Sequence, residues 1–355
     1  MYNYNLIEED CASLRTRLNT ENLIGKSVLI TGANGLIGSF IADFLCSLNR
    51  LHDYKMKIFL TSFSLPEKAE RIKHLIDSGA VTYFRWDAST NFDSALINKE
   101  ELDIVLFCSG YGQPAKFTKD IVKTSFINTI GVNSVLEFLS TFNKKSSFLF
   151  ISTSEIYGDP DVENIPTKEE YNGGVSIDNN RASYVLSKQL GEVITKSYYD
   201  KVNVKIARVG LIYGPGTLLG DNRVMQEFIF KAHKNKIISL LDSGLALRNY
   251  LYLTDGVEML LNIILNSQSK NLVYNVGGDQ EPVTIRELAC KIAKILDCEV
   301  EFGNDLTEAV SSAPKNVYMS MDKYRSEFLK YNNSYINLDN GLMNVIRWYK
   351  LKQES

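Results

Sequence analysis

Residues 27 to 48 read SVLITGANGLIGSFIADFLCSL. The first six, SVLITG, are a short apolar run with β-branched residues, and residues 36 to 48, LIGSFIADFLCSL, carry apolar side chains at helical spacing. Strand, tight turn and helix follow one another. The turn itself, TGANGLIG, spaces Gly32, Gly35 and Gly38 as G-x-x-G-x-x-G. Glycine at such a turn lets the backbone reverse sharply and approach a pyrophosphate, whose charge then faces the helix N-terminus. A bare glycine pattern is weak, but the strand before it and the helix after it raise its standing above that of an unliganded turn.

Alternation continues outward from this unit. KIFLTSF (57–63), VTYFRWD (81–87), LDIVLFCSG (102–110), SSFLFIST (146–153) and VKIARVG (204–210) read as buried strands. Between them, helical patterns occupy 66–78, about 119–142 and YVLSKQLGEVITKSYY (184–199). This predicts an α/β fold, a doubly wound parallel sheet of the Rossmann type over 25–212, with both faces covered. Residues 1–24 precede it as an N-terminal extension, and segments near 250–276 are expected to complete the sheet.

Composition narrows the function. The chain has 355 residues, 45% hydrophobic and 23% charged, with a net charge of -3 and no basic cluster, so neither nucleic acid nor an anionic membrane is expected as a partner. Five cysteines without a C-x-x-C, mostly among apolar neighbours, point to reduced thiols and a cytoplasmic location. The opening residues mix charges and lack an apolar core of the kind that exports a chain, and no apolar run is long enough to span a membrane. Only three histidines occur, His52, His74 and His233, none beside another or a cysteine pair, so no metal site is expected.

Three further motifs carry chemistry. WDAST places Asp87 and Ala88 just past the third strand, where a carboxylate can accept from an adenine amino group; capping a helix is the competing role for Asp87. RASYVLSKQLGE puts Tyr184 and Lys188 four apart on one helix face. A nearby ammonium favours the phenolate and is expected to lower the tyrosine pKa from ~10, making it a proton acceptor near neutrality. An ordinary surface pair is the bland alternative. ISTSEIYGDP ends a buried strand in Thr153, Ser154 and Glu155, with the Thr153 hydroxyl able to bond the same substrate hydroxyl as Tyr184.

With these pieces assembled, the chain resembles an extended short-chain dehydrogenase/reductase of the nucleotide-sugar epimerase, dehydratase and decarboxylase group. The matching stretches are TGANGLIG, DAS, NTIG (128–131), STSEIYGDP, YVLSK, YGPG (213–216), RNYLYLTD (248–255) and YNVGG (274–278). The resemblance implies NAD as cofactor, with NADP left open, and a smaller C-terminal domain for the nucleotide sugar, mainly residues 213–355. It implies dinucleotide contacts from Gly32, Asn34, Gly35, Leu36, Ile37, Gly38, Asp87, Ala88, Cys108, Tyr184 and Lys188. Tyr184 would be the catalytic base, Lys188 its modulator, and Thr153 and Glu155 its catalytic neighbours. Ser154, Arg181, Arg223 and Arg248 would meet the substrate. It also implies a homodimer, because helices 119–142 and 184–199 carry apolar positions on more than one face.

Within the group, residues 153–155 discriminate. The 4,6-dehydratases carry Thr-Asp-Glu and the UDP-glucuronate decarboxylases Thr-Ser-Glu, and this chain has Thr153, Ser154, Glu155. Expelling a hydroxyl from C6 needs a proton donor, and a serine hydroxyl is a poor one. Loss of carbon dioxide from a β-keto acid needs none. Decarboxylation of a nucleotide hexuronic acid such as UDP-glucuronate is therefore the favoured expectation, with dehydratase and epimerase chemistry next. A non-catalytic dinucleotide sensor or scaffold is the alternative from another class. The chain departs from the group at Ser62 or Phe63, where an acid usually ends the second strand, at Leu211 in RVGLIYGP, and at Val132 after NTIG.

Overall fold

The computed structural model describes residues 4–353 apart from 94, 96, 98–101, 143–144, 219, 304–313 and 329–334. Strands β1 (Ser27–Thr31), β2 (Lys57–Ser62), β3 (Thr82–Arg85), β4 (Ile104–Phe107), β5 (Ser147–Thr153) and β6 (Asn203–Val209) alternate with helices, as the sequence pattern predicts. Chain order continues with β7 (Leu211–Tyr213), β8 (Ile237–Ser239), β9 (Leu247–Arg248), β10 (Tyr250–Tyr252) and β11 (Val273–Val276). Seven strands form one parallel sheet in the order β11-β6-β5-β4-β1-β2-β3. Its order reverses between β1 and β4, and the crevice at the carboxyl ends there is where open α/β sheets bind ligands.

Side chains divide by parity along the strands. Val28, Ile30, Leu106 and Leu149 join a core with helices Tyr4–Arg17, Leu36–His52 and Leu253–Leu265. Leu29, Val105, Phe107, Phe148 and Phe150 join a second core with helix Val132–Phe142. Covering both faces is why the strands read as unbroken apolar runs. The long pattern at 119–142 resolves into Ile121–Phe126, a π-helical turn Ile127–Gly131, and Val132–Phe142. The pattern at 66–78 gives only a 3-10 turn Pro66–Lys68 and the short helix Lys73–Asp77, since Gly79 and the bonds of the 62–71 loop leave no room for more.

Of the segments near 250–276, only β11 joins the large sheet. Strand β10 pairs instead with β7. Two small sheets complete the C-terminal part, β9 between β12 (Val283–Thr284) and β14 (Asn316–Val317), and β8 with β13 (Glu299–Glu301). Helix Ile285–Leu296 starts with a capping box between Thr284 and Glu287. The C-terminal helix buries Trp348, whose indole N–H donates to the Thr217 carbonyl at 2.9 Å.

The N-terminal helix is part of the core. Leu6, Ile7, Cys11 and Leu14 are buried, and Arg17 reaches Asp255 at 2.7 Å and Glu258 at 3.3 Å. Asp10 accepts from the Tyr252 hydroxyl at 2.9 Å, and burial raises its pKa from 3.8 to about 7. A carboxyl that holds its proton more tightly when folded contributes stability below the unfolded pKa and loses it as pH rises through the folded one. Stability of the wild type is therefore expected to fall as pH rises from about 4 to about 7, by at most ~1.4 kcal/mol for each pH step of one. Asp10→Asn should flatten that slope in urea titrations at pH 5 and pH 8; an unchanged slope would place the titrating group elsewhere.

Candidate functional site

The glycine turn comes first at the sheet edge. Gly32 has φ +63°, and a Cβ there would stand 2.7 Å from the Cys108 carbonyl and the Ser109 backbone, so only glycine fits. Gly35 differs. Its φ of -78° suits any residue, it is exposed, and a Cβ would meet only the Gly32 carbonyl, at 3.1 Å. Helix Leu36–His52 begins behind it without a side-chain cap, leaving its first amides turned outward. That open, uncapped end, which a Cβ at Gly35 would fill, fits a dinucleotide pyrophosphate. Gly35→Val is expected to keep its fold and lose dinucleotide binding, read by titration calorimetry beside thermal melting; tight binding in the folded variant would remove the cofactor from this turn.

Asn34 serves the turn rather than facing outward. Its side chain donates to Ser64 Oγ at 3.1 Å and accepts from the Arg71 amide at 3.1 Å, while its carbonyl accepts from the Arg71 guanidinium at 2.8 Å. Arg71 also donates to the Gly216 carbonyl at 2.6 Å, tying the glycine turn to the YGPG loop. Leu36 and Ile37 pack half-buried against the core. Cys108 backs Gly32 through its carbonyl, and burial pushes its thiol up to about 12.

Past the third strand, both carboxylate oxygens of Asp87 are engaged within the chain. One oxygen accepts from the Ser89 amide and hydroxyl, capping its own turn, and the other accepts from Lys123 at 2.7 Å. Burial pushes the carboxyl up, but Lys123 and Ser89 together hold it below the ordinary range. Ala88 lies beside it, buried. Strand β2 ends without an acid: Ser62 bonds the Tyr83 hydroxyl at 2.8 Å, and Phe63 is exposed with the Lys123 ammonium 3.7 Å over its ring. Thr61 is fully buried, and its hydroxyl has no partner among the described residues.

The chemical end gathers around β5. Thr153, 6% exposed, ends the strand and accepts from the Glu155 amide at 3.3 Å, capping the 3-10 turn Ser154–Tyr157. Its hydroxyl also bonds Tyr184, which lies one turn into helix Ala182–Ser197. Glu155 is no solvated loop residue. Arg181 clamps it through two bonds, 2.8 and 2.5 Å, with side chains only 20% and 11% exposed. Arg248 stands close enough for its charge to feel Glu155 and Arg181, and burial lowers its pKa. Arg223 is turned to Asp221, at 2.8 Å, and to the Ile212 carbonyl.

The structure corrects the expected influence of Lys188 on Tyr184. Burial raises the Tyr184 pKa above its ordinary value, the Glu155 charge raises it further, and the opposing pulls come from Thr153 and Arg181. The Lys188 ammonium donates to the Ile151 carbonyl at 2.7 Å, and burial lowers its own pKa to about 8. Sequence spacing puts both residues on one face, but it says nothing about desolvation. Asn128, in the NTIG motif, is a site residue that sequence reasoning missed. It sits on the π-helical turn, donates to Ser187 Oγ at 2.9 Å, and leaves its buried Oδ1 without a partner among the described residues. A Cβ on Gly110 would lie 3.5 Å from Lys188 Nζ and 3.7 Å from that oxygen, so all three border one small space. A π-turn inside a helix is a frequent mark of a functional position, and sequence periodicity does not reveal it.

A glycine turn at an uncapped helix start, beside a buried Thr, Tyr and Lys set on a parallel sheet, is the arrangement of a dinucleotide-dependent enzyme of the short-chain dehydrogenase/reductase type. Residues 28–277 match the NAD dependent epimerase/dehydratase family, and the chain belongs to that family, with NAD as its cofactor. It is 25% identical over 338 residues to UDP-glucuronic acid decarboxylase 1 of Xenopus tropicalis, covering 93% of this chain and 73% of the relative. It is 28% identical over 293 residues to dTDP-D-glucose 4,6-dehydratase of Dictyostelium discoideum, covering 78% of this chain and 64% of the relative. Among solved structures, dTDP-glucose 4,6-dehydratase from Bacillus anthracis in complex with NAD superposes with TM-score 0.75 at 20% identity, over 93% of this chain and 98% of that one. UDP-glucuronic acid 4-epimerase from Bacillus cereus, in complex with UDP-glucuronic acid and NAD, gives 0.73 at 21%, over 92% and 99%. Among the described residues no helix is long and apolar enough to cross a membrane, and no cluster of metal-ligating side chains occurs.

Proposed function

We propose that the chain modifies a nucleotide-activated sugar through transient oxidation at C4, and that its reaction is decarboxylation of a nucleotide hexuronic acid such as UDP-glucuronate. The observation that carries this is Ser154. It is buried between Thr153 and Glu155, where elimination of a C6 hydroxyl would need an ionisable proton donor, and its hydroxyl is not one. Two guanidinium groups, Arg181 and Arg248, supply the positive field a sugar carboxylate requires.

Tyr184 and Thr153 hold the C4 hydroxyl between them, Tyr184 receiving its proton as the carbon is oxidised. When bound, NAD supplies the two-electron acceptor and a positively charged ring. The β-keto acid then loses carbon dioxide, its bonding pair passing into an enolate; a proton reaches C5 by way of Glu155, and Tyr184 returns its own proton when C4 is reduced. Glu155 and Arg181 orient the ring and its carboxylate. A neutral hexose is favoured by one feature, the pair of hydrogen bonds by which Glu155 already engages Arg181; epimerase or dehydratase chemistry is the reading it supports. Purified protein incubated with UDP-glucuronate, UDP-glucose and dTDP-glucose, with carbon dioxide and product mass followed, tests the assignment. Release from the uronate alone is expected; water loss from a hexose would overturn it.

We also propose a homodimer. Ile121, Val122 and Phe126, and Leu186, Leu190 and Val193 on the Tyr184 helix, are exposed apolar side chains on two helices that pack against each other. Sedimentation at micromolar concentration should give a dimer, and Leu190→Glu a monomer. A monomeric wild type would refute it.

A further inference from the structure

Phe117 occupies a place that the chemistry above does not call for. It ends the short helix Pro114–Phe117 and is 1% exposed. Its ring lies flat on that of Tyr184, centroids 4.4 Å apart and planes within 5° of parallel. Over the same ring, at 5.0 Å, stands the guanidinium carbon of Arg181, the residue that clamps Glu155. Val185 completes this small apolar cluster, with Tyr111 and Val175 at its edge.

A phenyl ring laid on a phenol does two things at once. It fixes the ring plane, and so the direction in which the hydroxyl points, and it keeps water off one face. Charge on a phenolate is then less well solvated, which favours the protonated form. By holding Arg181 over its own ring, Phe117 also sets how near a cation comes to that oxygen.

We propose that Phe117 is the positioning residue for Tyr184, aligning the phenol toward the substrate hydroxyl and governing its proton affinity by excluding water. This rests on Tyr184 being the acid-base group. The direction of the effect follows from the balance at Tyr184. Burial is the largest influence and raises the pKa, while the Arg181 charge is a smaller, opposing one. Uncovering the ring therefore lowers the proton affinity, even though Arg181 loses its support.

The test uses the full chain labelled with 13C at the tyrosine ring, with the Tyr184 resonance identified by its loss in Tyr184→Phe. In Phe117→Leu its titration should move down toward the ordinary tyrosine value. The limb on which kcat rises with pH should move down with it, since a base acts in its deprotonated form. Loss of alignment should lower kcat by up to about 100-fold with KM little changed. Phe117→Tyr, which restores a flat ring, should bring back both titration and kcat. Phe117→Met, closer in volume, guards against a Leu variant that does not fold, and should shift like Leu. An unmoved Tyr184 titration in folded Leu and Met variants would overturn the proposal. So would a fall in kcat that Phe117→Tyr leaves unrepaired. If instead Tyr184→Phe kept its turnover while Phe117→Leu shifted the titration, the stacking would stand and the choice of base would fail.

Discussion

Tyr184→Phe is expected to lower turnover by about 10²–10⁴-fold, the contribution of a positioned general acid or base. The substitution removes one oxygen. It leaves the Phe117 stack, the glycine turn and the Lys188 bond to Ile151 in place, so dinucleotide affinity by calorimetry should stay at the wild-type value. The fold should lose no more than the hydroxyl's bond to Thr153, about 1 kcal/mol. A kcat effect without an affinity effect separates a group acting in the reaction from one that merely binds. Wild-type turnover in Tyr184→Phe would dismiss this residue as the base.

Burial and the Glu155 charge hold the proton on Tyr184, and positive charge opposes them. That charge belongs to Arg181 and not to Lys188. Arg181 is paired with Glu155 and acts directly, whereas Lys188, itself depressed to about 8, is partly neutral at mildly alkaline pH. A group with a depressed ammonium pKa gains charge as pH falls, so Lys188 carries more positive charge below pH 8 than above it.

Much of this was legible in the chain. Short apolar runs separated by helical patterns give a parallel sheet, because a strand buried on both faces shows no alternation. Gly32 and Gly38 could be recognised from spacing, since their role is steric and local. Interactions between distant segments were not legible. Arg71 meets Asn34 and Gly216 across 145 residues of chain at the longer span. Asp10 and Arg17 meet residues some 240 positions away, which is why residues 1–24 looked like an appendage. The clamp on Glu155 was hidden because its partner, Arg181, lies 26 residues on. The Tyr184 and Lys188 pair exposes the limit of helix spacing: it predicted a shared face and missed that burial would dominate the charge of both.

Glu155→Gln is the other large effect, and its physics differs from that of an exposed loop acid. Removing the charge leaves the Arg181 guanidinium, 11% exposed, with one weaker bond in place of two ionic ones. Leaving such a buried donor poorly satisfied costs about 1–3 kcal/mol, so a measurable fall in the urea midpoint should accompany the loss of activity. On UDP-glucuronate the variant should still release a proton from the C4 hydroxyl under Tyr184 and Thr153, while the later steps slow by about 10²–10⁴-fold. Ser154→Asp asks the complementary question. It places an ionisable proton donor beside Glu155, and it should open a slow loss of water from a nucleotide hexose that the wild type does not catalyse. A wild type that already eliminates water and ignores the uronate would show that Ser154 is no barrier, and decarboxylation would have to be abandoned. If Glu155→Gln matched the wild-type rate on the uronate while losing stability, the carboxylate would be a brace for Arg181 and nothing more.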